Sequence, residues 1–163
     1  MKSHKKTLYL LRHAKASKSL DINDIDRPLT EKGYAEAYEI ARKLSVEKMI
    51  PELIVSSPAV RAFSTALIFQ RILIIPMQHP HIASELYEAS TEDVLSTITS
   101  IDDKFSSIML VGHNPSFSEL SAEMDPGITH VPTAGVVAFD IKIDNWKQAD
   151  HTKAEKKIFI FPH

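Results

Sequence analysis

The sequence predicts an α/β fold: a three-layer sandwich whose mostly parallel central sheet of about five or six strands is flanked by helices. Three observations predict it. Short apolar runs at residues 8–11, 53–55 and 108–111 read as strands buried on both faces. Segments with apolar residues at helical spacing alternate with them. Each run stops abruptly at polar residues, as strands do when their carboxyl ends open onto a ligand crevice.

A chain of 163 residues predicts one domain, 1–163. That length buries roughly 70% of its extended-chain surface, enough for a core without staples. The net charge of −2 and a 25% share of charged residues supply no global field toward nucleic acid or membrane. The chain has no cysteine, which rules out disulfides, thiolate metal sites and a Cys nucleophile. Arg12 cuts off the first apolar run, leaving it too short for a signal peptide. We therefore expect a cytoplasmic chain with no nucleic-acid and no membrane partner, and leave the oligomeric state unassigned. Gly33, Gly112, Gly127 and Gly135 fit neither a dinucleotide fingerprint nor a P-loop. Any phosphate must be held mainly by side chains and helix ends.

The first strand ends at Arg12-His13. A fixed cation beside an imidazole suits an anionic ligand there, although Arg and His also end strands without chemistry. Residues 14–29 are polar and aperiodic, a loop that carries Lys15, Ser17, Lys18 and Ser19 near the pair. Arg27-Pro28-Leu29-Thr30 closes the loop, and Thr30 reads as a helix N-cap. Ala37, Ile40, Ala41 and Leu44 give that helix one apolar face, ending before Pro51.

After the second strand, Ser56-Ser57-Pro58 opens a helix with proline at its first position. Arg61 sits in its first turn, either as an anion ligand at the positive dipole end or as a surface arginine with a snorkelling stem. Residues 77–82 read as a short third strand on which His79 and His81 share a face, solvent-exposed rather than metal-binding. Residues 84–88 form a loop carrying Glu85 and Glu88, and Thr91 caps a helix with Val94, Ile98 and Ile101 on one stripe. The strand at 108–111 ends in Gly112-His113-Asn114-Pro115, and Pro115 starts a helix with Phe117, Leu120, Ser121 and Met124 inward. Residues 135–141 and 157–161 read as final strands, joined by a polar connection containing Trp146.

If the three apolar strands are parallel neighbours, their ends converge. Arg12, Arg61, His13, His113 and two helix N-termini then surround one spot, a site for a dianion such as a phosphoryl group.

The segments Leu-Arg-His-Ala, Arg-Pro-Leu-Thr, Ser-Ser-Pro-x-x-Arg-Ala-x-x-Thr-Ala and Val-Gly-His-Asn-Pro, in that order, resemble the histidine phosphatase superfamily. The resemblance spans Leu8 to Phe161 and is greatest to the SixA-type phosphohistidine phosphatase branch. It implies a phosphoglycerate mutase-like fold in a single histidine-phosphatase domain, and a metal-independent hydrolase without cofactor. It implies that His13 is the nucleophile, that Arg12 and Arg61 bind phosphoryl oxygens, and that His113 completes the pocket. Glu85 lies where the family's proton donor is often found, with Glu88 nearby. Ala14 replaces the family's usual glycine, and Ser17 and Ser19 stand where mutase-type members offer a phosphate-binding asparagine.

The partner implied is a phosphorylated substrate, a phosphohistidine-bearing signalling protein among the candidates. The short span between Ile72 and Ile108 leaves little chain for a lid, which disfavours mutase activity, since a mutase must enclose its substrate. Three other readings are carried. One is a small-molecule phosphomonoesterase of the same superfamily. The second is a phosphate-binding module with little turnover. The third is a metallohydrolase using His13, His79, His81 and His113, which activity surviving chelation would dismiss.

Overall fold

A computed structural model describes residues 4–18, 21–151 and 154–163. Six strands form one sheet: β1 (Lys6–Arg12), β2 (Leu53–Ser56), β3 (His81–Ile82), β4 (Ser107–Gly112), β5 (Val136–Ile141) and β6 (Ala154–Ile160). Their order is β3-β2-β4-β1-β5-β6. The first four run parallel, while β5 pairs antiparallel with both β1 and β6. Four helices flank the sheet: α1 (Glu31–Val46), α2 (Val60–Leu73), α3 (Thr91–Thr99) and α4 (Ser116–Met124).

The apolar runs are explained by burial on both faces. In β1, Tyr9 and Leu11 join Ile54, Met109 and Val111 in a core under α1 and α2. Leu8 and Leu10 point the other way, joining Val55, Ile108 and Leu110 under α3 and α4. This period-two division puts every residue of 8–11 in one core or the other. α1 buries Ala37, Ile40, Ala41 and Leu44, the stripe its spacing predicts. Its Thr30 hydroxyl accepts from the Gly33 N–H at 3.0 Å, capping the helix.

The chain leaves β1 for α1 on one face and leaves the adjacent β4 for α4 on the other. Neighbouring strands whose connections diverge in this way open a crevice at their carboxyl ends. Arg12 lies opposite Gly112 in the β1–β4 register, and Ser56 opposite Val111 in the β2–β4 register, so the three strand ends stand side by side.

Several local expectations differ from what the chain does. The third strand contains only His81 and Ile82, paired with β2 at the sheet edge. His79 lies outside it, with its Nδ1 2.8 Å from the Pro80 carbonyl and its ring 6.3 Å from that of Phe63. The two histidines therefore do not share a strand face. Neither proline occupies the first helical position: α2 starts at Val60, two residues after Pro58, and Pro115 is the N-cap of α4 behind a cis Asn114–Pro115 bond. Ser90, not Thr91, caps α3, exchanging hydrogen bonds with Asp93. Within the polar connection between β5 and β6, Trp146 is fully buried, and its indole N–H donates to the Phe105 carbonyl at 2.8 Å.

The described ends of the loop between β1 and α1 are tied to each other. Ala16 bridges Leu29, Ser17 N–H donates to the Pro28 carbonyl at 2.8 Å, and Thr30 N–H donates to the Lys15 carbonyl at 2.9 Å. This close approach requires glycine in the first turn of α1, because a Cβ on Gly33 would lie 2.2 Å from the Lys15 carbonyl oxygen. We expect Gly33→Ala to destabilise the fold by about 1–3 kcal/mol, as overpacking does. Thermal denaturation should show a Tm lowered by several degrees; an unchanged Tm would contradict this packing.

Candidate functional site

The carboxyl end of β1 delivers two side chains in succession. The Arg12 N–H donates to the Gly135 carbonyl and the His13 N–H to the Gly112 carbonyl, both at 3.0 Å, so neighbours on either side pin the strand end. The next residue, Ala14, donates its N–H to the Thr65 hydroxyl at 3.0 Å, and that hydroxyl donates to the Arg61 carbonyl at 2.7 Å. The Arg-Ala-x-x-Thr spacing thus serves a mechanical purpose. It ties the residue after His13 to the turn of α2 that carries Arg61.

His13, Arg61 and His113 are polar residues buried at the floor of one cleft, each less than a tenth exposed. The rings of His13 and His113 are 5.1 Å apart. The cleft has a volume of about 690 Å³ and is also lined by Arg12, Lys15, Lys18, Arg27, Tyr87 and Glu88, among others. The structure therefore brings Arg12, His13, Arg61 and His113 together. Glu85 is exposed and lines a separate cavity of about 620 Å³ beside β3, whereas Glu88 lines the cleft that holds His13. Ser19 lies outside the described residues.

Hydrogen bonding orients both imidazoles. His13 Nδ1 is 2.7 Å from the Ala14 carbonyl. A carbonyl only accepts, so Nδ1 carries the proton and a neutral ring keeps its lone pair on Nε2. Burial lowers the His13 pKa to about 3, and the neighbouring His113, Arg61 and Arg12 push the same way against the Ala14 bond. His113 Nε2 lies 2.8 Å from the Ser57 hydroxyl, a bond that fixes the ring plane in either tautomer. Burial, then Arg61, lowers the His113 pKa to about 4, partly opposed by Asp24. Both rings are neutral at pH 7.

Arg12 Nη1 donates to the Val131 carbonyl at 3.2 Å, which also accepts from the Asn114 amide at 2.9 Å. The Asn114 oxygen accepts from Ser118 N–H and hydroxyl, so this residue braces α4. Burial lowers the Arg12 pKa. The Nε–H groups of Arg12 and Arg61 are both buried and have no acceptor within the described chain. The two guanidinium groups therefore bring fixed positive charge to a cleft that also holds two neutral imidazoles, and each keeps a buried donor without an acceptor.

Asp24 and Tyr87 are the site residues that sequence reasoning missed. Arg61 Nη2 donates to Asp24 Oδ2 at 3.1 Å, and the Tyr87 hydroxyl donates to the same oxygen at 2.6 Å. Arg27 Nε donates to Oδ1 at 3.0 Å. The bond from Tyr87, with those from the two arginines, holds the Asp24 pKa down to about 2. The Tyr87 ring stands edge-on to His113 at 5.7 Å. The one available signal was the three-residue spacing of Asp24 and Arg27, which suits a local ion pair in a helical turn.

Comparison with known proteins gives a consistent result. The profile of the histidine phosphatase superfamily (branch 1) matches residues 8–114. An uncharacterized chloroplastic protein of Arabidopsis thaliana is 29% identical over 151 residues, 87% of this chain and 69% of that one. An uncharacterized protein of Mycobacterium tuberculosis is 30% identical over 111 residues, 68% of this chain and 67% of its own. A crystal structure assigned as the phosphohistidine phosphatase SixA of Agrobacterium tumefaciens superposes with a TM-score of 0.79 at 31% identity, covering 96% of this chain and 98% of that one. The protein histidine phosphatase SixA complexed with tungstate shares the fold, with a TM-score of 0.78 at 21% identity over 95% and 96% of the two chains. With the strand-end motifs assembled in one cleft and the profile matched across most of its length, this chain belongs to the histidine phosphatase superfamily, branch 1.

Proposed function

We propose that this phosphatase acts through a phosphohistidine intermediate on His13, without a metal, and that its substrate is a phosphohistidine displayed on another protein. The observation that carries the reading is the state of His13. It is a buried neutral imidazole whose Nδ1 proton is committed to the Ala14 carbonyl, leaving the Nε2 lone pair beside Arg12, Arg61 and His113.

In the first step Nε2 attacks phosphorus in line. A P–N bond to His13 forms as the bond to the substrate's imidazole nitrogen breaks, and the departing electron pair takes up a proton. In the second step water attacks phosphorus, the bond to His13 breaks, and orthophosphate leaves. Such transfers depend on positioning and charge neutralisation, which Arg12 and Arg61 supply at the phosphoryl oxygens. Burial and Arg61 keep His113 neutral; a bound dianion beside it would raise its pKa and favour the imidazolium.

The proton donor bears on the substrate. Glu85 faces a different cavity, so Glu88 is the glutamate we assign to this role for an oxygen leaving group. A positioned acid typically contributes a factor of about 10²–10⁴. A departing imidazole depends on it less, because protonated phosphohistidine already has a good leaving group. An exposed donor on the rim fits a phosphorus–nitrogen substrate better than a phosphoester.

Three measurements test this reading. A pulse with labelled phosphodonor, quenched at millisecond to second times, should trap acid-labile, base-stable label that is absent in His13→Ala, with turnover reduced at least about a thousandfold. Label of ordinary yield in that variant would overturn the assignment. Activity should survive a chelator, and kcat/KM should be at least about tenfold higher for a phosphohistidine protein than for the best of a panel of small phosphoesters. The reverse ranking would overturn the substrate class.

The depressed histidine pKa values also make a stability statement. In the unfolded chain both imidazoles titrate near 6.5, and in the folded chain at about 3 and about 4. Between these values the unfolded chain binds more protons, so stability rises with pH. We expect Tm to fall progressively as pH drops from 7 to 5, and NMR titration to show the His13 and His113 rings still neutral at pH 5. A titration of His13 near 6.5 would contradict its description as a buried neutral base.

A further inference from the structure

We propose that Asp24 is a positioning residue for the phosphoryl site: it grips one side of the Arg61 guanidinium and thereby aims the remaining donors at the substrate. The proposal rests on the phosphatase reading given above and adds a residue that no part of that reading uses.

A guanidinium has five N–H groups. Arg61 commits two to one residue, Nη1 to the Asp24 carbonyl at 2.7 Å and Nη2 to its carboxylate at 3.1 Å. Of the other three, the buried Nε–H has no acceptor within the described chain. Backbone and side chain of Asp24 therefore hold the fork at two points, which fixes its plane as well as its position. The stem of Arg61 is buried in α2, so the guanidinium has little other freedom to lose.

The carboxylate itself is not free to swing. Oδ1 accepts from Arg27, whose Nη1 also donates to the Ser17 carbonyl at 2.6 Å, and Oδ2 accepts from Arg61 and Tyr87. Both oxygens are engaged, so an arriving phosphoryl group meets donors already oriented rather than a carboxylate it must displace. Through Tyr87 the same oxygen also steadies the face against which His113 stands. Pre-orientation of this kind lowers the reorganisation needed when charge develops on the equatorial oxygens.

The test is a double-mutant cycle on the full chain, read as kcat/KM and as the dissociation constant of inorganic orthophosphate, with Tm recorded for every variant. Asp24→Ala should lower kcat/KM roughly 10–100-fold and weaken orthophosphate binding, as loss of a positioning contact does. Asp24→Asn, which keeps an acceptor for Arg61, should recover part of that loss at the same Tm. In an Arg61→Lys background, which lacks the planar fork, Asp24→Ala should cause less than about a twofold further loss, because the two residues act as one unit. A global folding defect would multiply the loss equally in both backgrounds. An equal loss in both backgrounds, or Asp24→Ala within twofold of the parent, overturns the assignment. If the parent binds orthophosphate in an Arg61-dependent way that Asp24→Ala leaves unchanged, the positioning role fails and the phosphatase reading stands. If the parent binds no orthophosphate, both fall.

Discussion

The parallel pairing of β1 with β4 is the constraint on which the site depends. Its register sets Arg12 opposite Gly112, so the next residue of each strand, His13 and His113, emerges at the same level. A slip of one residue would turn Tyr9 and Leu11 into the core now filled by Leu8 and Leu10, and would carry Arg12 and His13 past the crevice. Both cores resist that slip, because each is filled by alternate residues of the same strands. Hydrophobic burial on two faces therefore fixes a polar geometry at the strand ends that polar residues alone would not hold.

The second consequence is electrostatic. The fold collects Arg12, Arg61, His13 and His113 around a partly buried cleft, where fixed positive charge is expensive. It manages the cost in two ways. The imidazoles stay neutral, with pKa values lowered to about 3 and about 4. The arginines are spread over backbone carbonyls and the Asp24 carboxylate, which leaves part of each guanidinium without an acceptor. In the proposed reading that residual deficit is what the phosphoryl oxygens meet, and the neutrality of His13 is what makes it a nucleophile.

Much of this was legible in the sequence, for identifiable reasons. The mostly parallel sheet could be read because residues 8–11, 53–55 and 108–111 are apolar without alternation. The meeting of Arg12, His13, Arg61 and His113 in one cleft could be anticipated because each follows a buried strand directly or by a single turn. What escaped was set by tertiary contacts with no local pattern. Asp24 lies in an aperiodic polar loop, and its partners Arg61 and Tyr87 are distant in sequence. Glu85 and Glu88 look equivalent along the chain, yet a single turn sends them to different cavities. Trp146 sits in a polar segment, and only the pocket beside Phe105 explains its burial. The prolines at 58 and 115 marked helix starts to within a residue or two, and cap geometry decided the rest.

The most direct test of the central claim is a crystal structure of this chain with orthophosphate or tungstate bound. The expected result is an oxyanion in the β1–β4 crevice, its oxygens within hydrogen-bonding distance of Arg12, Arg61 and His113, and its central atom in line with Nε2 of His13. An oxyanion bound elsewhere, or a His13 ring presenting Nδ1 to it, would contradict the account.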